Sequence, residues 1–224
     1  MYCIEHLKKR DYRLSKVIER IGSLDYSAYN NHQNSFLFLV REIVGQMISS
    51  SVKKVIWRRF GELCNNTITP STVSELSLEQ LRSIGLSKSK SSYILNLAKL
   101  VSNNEIDFKK METMSDDEVI KVLTSIKGIG NWTAKMYLLF FLQREDILPY
   151  EDGAFLQAYK WLYNTKVIKP ESIVRRCKKW KPYTSVGARY MYRALDTGLT
   201  KIPIKDFLNN QETRTPGTGT CFNE

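Results

Sequence analysis

Apolar residues in this chain recur at intervals of three and four, and no run of five or more residues convincingly alternates apolar with polar. A pattern of that period is buried by helices. The clearest case is Val119, Leu123 and Ile126, at i, i+4 and i+7, behind Ser115-Asp116-Asp117-Glu118. That is a Ser-x-x-Glu capping box and predicts a helix start near Ser115. Thr72, with Glu75 three residues on, predicts a second start. Helical patterns also run roughly over residues 3–21, 35–47, 52–63, 90–101, 132–142, 154–163, 171–180 and 186–197. The fold class is therefore all-α, with about ten short helices packed in bundle fashion.

Punctuation falls at residues 30–33, 65–70, 103–104 and 144–153, where Pro149 blocks continuation of the preceding helix. Residues 211–224, with Thr215-Pro216-Gly217-Thr218-Gly219-Thr220 at their centre, read as a frayed tail. The 224 residues correspond to one large domain or two small lobes. The longest apolar run, Met136 to Leu142, is far too short to span a bilayer, and Glu5, Lys8, Lys9 and Arg10 spoil any signal peptide. The expectation is an intracellular protein with no membrane partner. No feature points to an oligomer, so a monomer is expected.

The four cysteines, Cys3, Cys64, Cys177 and Cys221, form no CxxC pair, which leaves no zinc knuckle, redox dithiol or iron–sulfur loop. Reduced thiols fit an intracellular chain. His6 and His32 are the only histidines, so chemistry that depends on a Ser/His/Asp triad or a His-rich metal centre is discounted.

Charge separates the remaining classes. The 34 basic residues outnumber the 23 acidic ones, for a formal charge of +11, while 42% apolar content excludes a disordered polycation. Residues 166–201 hold ten Lys or Arg against Glu171 and Asp196, interleaved with Trp180, Tyr183, Tyr190 and Tyr192. A diffuse positive field with stacking rings suits a nucleic-acid backbone, although a solvated lysine-rich face has the same composition.

The most informative string is Leu123-Thr124-Ser125-Ile126-Lys127-Gly128-Ile129-Gly130-Asn131-Trp132-Thr133-Ala134. It reads as a helix ending at Gly128, Ile129 plugging the core, Gly130 permitting a second tight bend, and a new helix capped near Gly130 or Asn131. Such a turn aims backbone N–H groups outward at a helix N-terminus, an anion site that holds a phosphate without reading sequence.

This string resembles the helix-hairpin-helix of the HhH-GPD superfamily of DNA glycosylases. The loop Asp146-Ile147-Leu148-Pro149-Tyr150-Glu151-Asp152-Gly153 supplies its Gly/Pro-rich loop and aspartate. Gly45-Gln46-Met47-Ile48-Ser49 resembles the Gly-Gln-x-x-Ser segment that faces DNA opposite the target base. Leu81-Arg82-Ser83-Ile84-Gly85-Leu86, with Lys90 and Tyr93, resembles the helix pair before the hairpin. Trp180-Lys181-Pro182-Tyr183 is similar to the Trp-x-Pro-aromatic element of the 3-methyladenine DNA glycosylase II branch.

The resemblance implies a compact two-lobed fold without an N-terminal β domain. A six-helix lobe would cover residues 32–148, with the hairpin at about 118–142, and a second would pair residues 1–31 with 149–210. It implies Asp152 as the catalytic carboxylate, although Asp before a helical pattern is also a common N-cap. Trp132, Tyr183 and Met136 would line the base pocket; Met136 stands where that branch often has tyrosine, and Tyr183 where it has tryptophan. Gln46, Met47 and Ser49 would meet the opposite strand and fill the vacated stack. Lys127, Gly128, Ile129, Gly130, Asn131 and Thr133 would hold a phosphate. The carbonyls of Ile126, Gly128 and Ile129 are a candidate structural Na⁺ or K⁺ site; no other cofactor is implied. Members that also cut the strand carry a lysine at the position of Trp132, so the implied activity is a monofunctional glycosylase acting on alkylated purines in double-stranded DNA. The alternatives are a glycosylase for another damaged or mismatched base and a non-catalytic DNA-binding protein. The compartment would be the nucleoid or the nucleus, according to the cell.

Overall fold

The computed structural model describes residues 2–24 and 34–212. The predicted turn at 30–33, and His32 within it, lie outside them, as do residues 213–224 of the predicted tail with Cys221. Among the described residues there are fourteen α-helices and no strand. None is long and apolar enough to cross a membrane. The chain divides into two compact units, one of residues 26–144 and one formed by residues 1–25 with 145–224.

The first of these contains α3 (Ser35–Gly45), α4 (Ser50–Leu63), α5 (Pro70–Ser74), α6 (Leu78–Ser83), α7 (Lys88–Ser102), α8 (Phe108–Met111), α9 (Asp116–Ser125) and α10 (Asn131–Met136), the last running into a π-helical turn over Tyr137–Phe141. α3 is apolar on nearly every side, burying Phe36, Phe38, Leu39, Val40, Ile43 and Val44, and such a helix belongs at the centre of a core. It packs on α4, α7 and the π turn. Tyr137, stacked on Phe141, donates its hydroxyl to Ser35 Oγ at 2.9 Å. Arg144 closes this unit by donating to the carbonyls of Met111, Glu112 and Met114.

The capping box at Ser115 is present as read, with Glu118 Oε2 accepting from the Ser115 amide. The start read at Thr72 is displaced. Thr69 is the N-cap, Pro70 takes the first helical position, and Thr72 is the reciprocal partner three residues on. A threonine at that third position returns the bond through its hydroxyl, so the box does not need Glu75.

The second unit contains α1 (Tyr2–Arg10), α2 (Tyr12–Ile21), α11 (Gly153–Tyr163), α12 (Pro170–Cys177), α13 (Thr184–Asp196) and α14 (Ile204–Glu212), with short 3-10 turns at Lys178–Trp180 and Leu199–Lys201. The single helix read over residues 3–21 is two, broken at Asp11. Asp11 sits in extended backbone, and its Oδ1 accepts from the amides of Arg13 and Leu14. Its other oxygen accepts from Trp180 Nε1 at 2.8 Å and Lys179 Nζ at 3.0 Å, and from the Tyr163 hydroxyl. Asp11 is only 2% exposed. Removing it would leave the buried Trp180 Nε1 and the part-buried Tyr163 hydroxyl without their acceptor, a loss of about 1–3 kcal/mol.

Candidate nucleic-acid and catalytic site

Within residues 26–144 the hairpin is built on backbone. α9 ends at Ser125, three residues before the expected Gly128, and Ile126 turns the chain into extended conformation. Gly128 has φ +95°, and a Cβ there would lie 2.3 Å from the Tyr93 ring, so conformation and space both demand glycine. Ile129 is buried, and its amide donates to the Ile126 carbonyl at 3.0 Å. Gly130 differs from the expectation of a second tight bend: φ −97° and ψ 177° suit any residue, and a Cβ there would meet nothing. It is the N-cap of α10 and brings no side chain to cap it.

Lys127 and Asn131 are exposed and Trp132 is half-buried. Thr133 is 1% exposed, so its hydroxyl does not serve an external phosphate and only its backbone position remains in the predicted cradle. Met136 is buried one helical turn beyond Trp132, on the same face of α10.

The segment joining α3 to α4 carries the opposite-strand residues. Gln46 ends α3, and its Nε2 donates to the Gly128 carbonyl at 3.0 Å, so this side chain is committed to the hairpin. Met47 follows in left-handed backbone, φ 56°, with its side chain fully exposed. Ser49 caps α4, accepting from the Val52 amide. Lys90, half-buried on α7, reaches back with Nζ to the carbonyls of Val44 at 2.9 Å and Gln46 at 2.6 Å. The sequence placed Lys90 and Tyr93 only in the helix pair that precedes the hairpin; no local pattern shows the contacts of Lys90 with residues 44 and 46 positions away.

Asp152 and Tyr183 lie in the other unit. Asp152 is the N-cap of α11, 8% exposed, with Oδ1 accepting from the Phe155 amide at 2.8 Å. The cap reading is therefore borne out, and the bond to Phe155 fixes the carboxylate. The loop before it is tied to the stretch that carries Tyr183. Ile147 N donates to Ser185 Oγ at 2.8 Å, the Ser185 amide donates to the Glu145 carbonyl at 2.9 Å, and Asp146 accepts from Lys181 Nζ at 2.9 Å and from the Thr184 hydroxyl. Sequence reasoning missed these partners, which lie 35 to 40 residues apart. Tyr183 itself follows a cis Lys181-Pro182 bond and is half-buried, with its ring edge-on to His6 at 5.4 Å and to Tyr2 at 6.1 Å. Burial, with Glu145 next in weight, pushes its phenol above the usual tyrosine range, so the ring stays neutral and electron-rich. Trp180 of the same element is fully buried on Gly187 and Asp11 and serves the core.

Among the described residues no three His, Cys, Asp or Glu side chains gather as a metal site. At the hairpin, the Ile126 carbonyl takes the Ile129 amide and the Gly128 carbonyl takes Gln46, so each has a protein donor on one lone pair.

Residues 40–182 match the family model described as HhH-GPD superfamily base excision DNA repair protein. Over 195 residues the chain is 29% identical to the alkylbase DNA glycosidase-like protein mag2 of Schizosaccharomyces pombe, covering 84% of this chain and 91% of that protein. The structure of a DNA-3-methyladenine glycosidase from Bacillus halodurans matches with a TM-score of 0.79 at 30% identity, over 93% of this chain and 96% of that one. The S. pombe 3-methyladenine DNA glycosylase (Mag1), solved in complex with abasic DNA, matches with a TM-score of 0.77 at 24% identity, over 91% and 98%. At that identity the second likeness speaks for the fold.

Proposed function

Since the chain belongs to the HhH-GPD superfamily of base excision DNA repair proteins, we propose that it is a DNA glycosylase hydrolysing the N-glycosyl bond of alkylated purines, of the 3-methyladenine and 7-methylguanine type, in duplex DNA. The observation that carries this is Asp152, a carboxylate held at the start of α11, in the position to which the sequence resemblance assigns the family's aspartate. Breaking the bond from C1′ to the base nitrogen develops positive charge on the sugar, and a fixed carboxylate beside it stabilises that charge. The same group is placed to orient or deprotonate the attacking water.

An alkylated purine is already cationic and leaves readily, so selection falls to rings that stack on a cation. Trp132 and Tyr183 supply such faces, and Met136 lies beneath Trp132 on α10. Met47 is the side chain that enters the gap once the base has left the stack, with Gln46 and Ser49 holding the two ends of its loop. Lys127, Gly128, Ile129, Gly130, Asn131 and the backbone of Thr133 grip the phosphate. Trp132, standing where strand-cutting relatives carry lysine, forms no Schiff base, so the product is an intact strand with an abasic site. The reaction uses no cofactor. A Na⁺ or K⁺ ion at the hairpin would share the Ile126 and Gly128 carbonyls with their protein donors and would act structurally. The enzyme works as a monomer on chromosomal DNA, in the nucleoid or the nucleus.

The test is base release from randomly methylated duplex DNA by wild type and Asp152→Asn, with freed bases and strand breaks scored separately. Release of methylated purines without breaks, lost in the variant while DNA binding survives, is the expected result. Release that persists in Asp152→Asn would overturn the catalytic assignment. Release from a different modified duplex alone would shift the lesion, a change the Met136 and Tyr183 departures would explain.

A further inference from the structure

Three contacts around α7 bind the Met47 loop to the hairpin. Lys90 Nζ donates to the carbonyls of Val44 and Gln46, at the C-terminal end of α3, where carbonyls lack helical partners and a cation is favoured. Gln46 sends its own amide across to the Gly128 carbonyl. Tyr93, one turn after Lys90 on the same face of α7, closes on Gly128 so tightly that no Cβ would fit. One helix therefore touches both the loop that projects Met47 and the turn that begins α10.

Met47 needs such support. A methionine in left-handed backbone is disfavoured, and a fully exposed one gains nothing from packing that would offset the cost. Its conformation must be imposed by neighbours. The residue before it supplies them: the Gln46 carbonyl is held by Lys90 and the Gln46 side chain by the hairpin. Burial pushes the Lys90 ammonium below the usual lysine range, the cost of seating the charge on two carbonyls instead of in water.

We propose that Lys90 is a positioning residue that locks the Met47 loop to the phosphate-gripping hairpin, so that wedge entry and backbone grip occur as one rigid unit. This rests on reading Met47 as the residue that fills the vacated stack. The lock matters only where a stack must be opened or filled. It is dispensable for holding an ordinary duplex through its phosphates.

The experiment measures affinity for a duplex with a tetrahydrofuran abasic site against the same duplex undamaged, for wild type, Lys90→Met and Lys90→Arg. Lys90→Met is expected to lower the abasic-to-undamaged preference about tenfold, with Lys90→Arg restoring most of it, because a guanidinium can reach the same carbonyls. In a Met47→Ala background, Lys90→Met should have no further effect on the preference, since the group it positions is gone. Should Lys90→Met fail to fold, Gln46→Met cuts the other link and the same preference is read.

A preference within about twofold of wild type, or an undiminished Lys90→Met effect in the Met47→Ala background, would overturn the proposal. Equal loss on both duplexes with a lowered Tm would do the same, by reducing Lys90 to a stabilising contact. The measurement involves no bond cleavage. A Lys90-dependent preference in a chain that releases no base would sink the glycosylase reading and keep the lock, while base release with no Lys90 dependence would do the reverse.

Discussion

Each unit holds a helix that matters to the proposed function, α10 in one and α11 in the other, and the two open in opposite ways. α10 starts on Gly130, which brings no side chain to its own amides. α11 starts on Asp152, whose carboxylate accepts from the third amide of its own helix. Both N-termini carry the same partial positive charge. At α11 the cap residue supplies an anion and holds it in place; at α10 it supplies none, and in the proposed function a DNA phosphate brings one. In the proposed function, the residue at the cap position sets whether a helix end carries a reagent or receives a ligand.

The comparison is broken most severely at Asp152. Asn caps a helix about as well as Asp, so Asp152→Asn should change stability by less than about 1 kcal/mol. Single-turnover base release should nevertheless fall by about 10³-fold or more, the scale of losing one transition-state electrostatic contact. Parallel denaturation and turnover measurements separate the two, and a large stability loss would mean that the carboxylate is mainly structural.

Next in size is Gly128→Ala. A methyl group 2.3 Å from the Tyr93 ring, at φ +95°, must displace the ring or the turn. We expect a loss of roughly 3 kcal/mol in urea denaturation. A loss under about 1 kcal/mol would show that α7 yields easily and does not pin the hairpin.

A subtler variant makes the two caps alike. Gly130→Asp introduces no clash and suits the extended backbone already present. It should raise stability by a few tenths of a kcal/mol while weakening duplex binding by about tenfold, because the helix then carries its own anion. Unchanged binding would move the phosphate elsewhere.

The smallest effect is read in alkali. Burial, opposed in part by the bond to Ser35, pushes the Tyr137 phenol up to about 12. The folded chain holds that proton more tightly than the unfolded one, so the stabilisation is complete below the ordinary tyrosine value of about 10 and is lost as pH rises from there toward 12. Tyr137→Phe should flatten the fall in stability between pH 9 and pH 11 by about 1 kcal/mol, measured by denaturation at both. A fall of the same steepness in the variant would assign it to other groups.

What the sequence disclosed was local. The Ser115 box, the helical periods and the Gly-x-Gly turn depend on neighbours within a few residues; the box stands where it was read, while α9 ends three residues short of Gly128 and Gly130 makes no second tight bend. The break at Asp11 escaped because the apolar period runs through it, while the partners that hold Asp11 there lie near residues 163 and 180. The bond from Gln46 to the hairpin escaped because its acceptor, Gly128, is 82 positions away. Thr133 was read as part of the turn, and only the fold shows that its side chain is buried.

The bond from Trp180 to Asp11 joins residues 169 positions apart, and it has a consequence for synthesis. The unit of residues 26–144 is one continuous stretch that can collapse as soon as it leaves the ribosome. The other joins both ends of this stretch: α1 and α2 emerge with an aspartate whose second oxygen waits for Tyr163, Lys179 and Trp180. At about 5–20 residues per second, the opening helices spend on the order of ten seconds without their partners. Deletion of the first eleven residues would not trim a loose end; it would take away the keystone that the last third of the chain is built to receive.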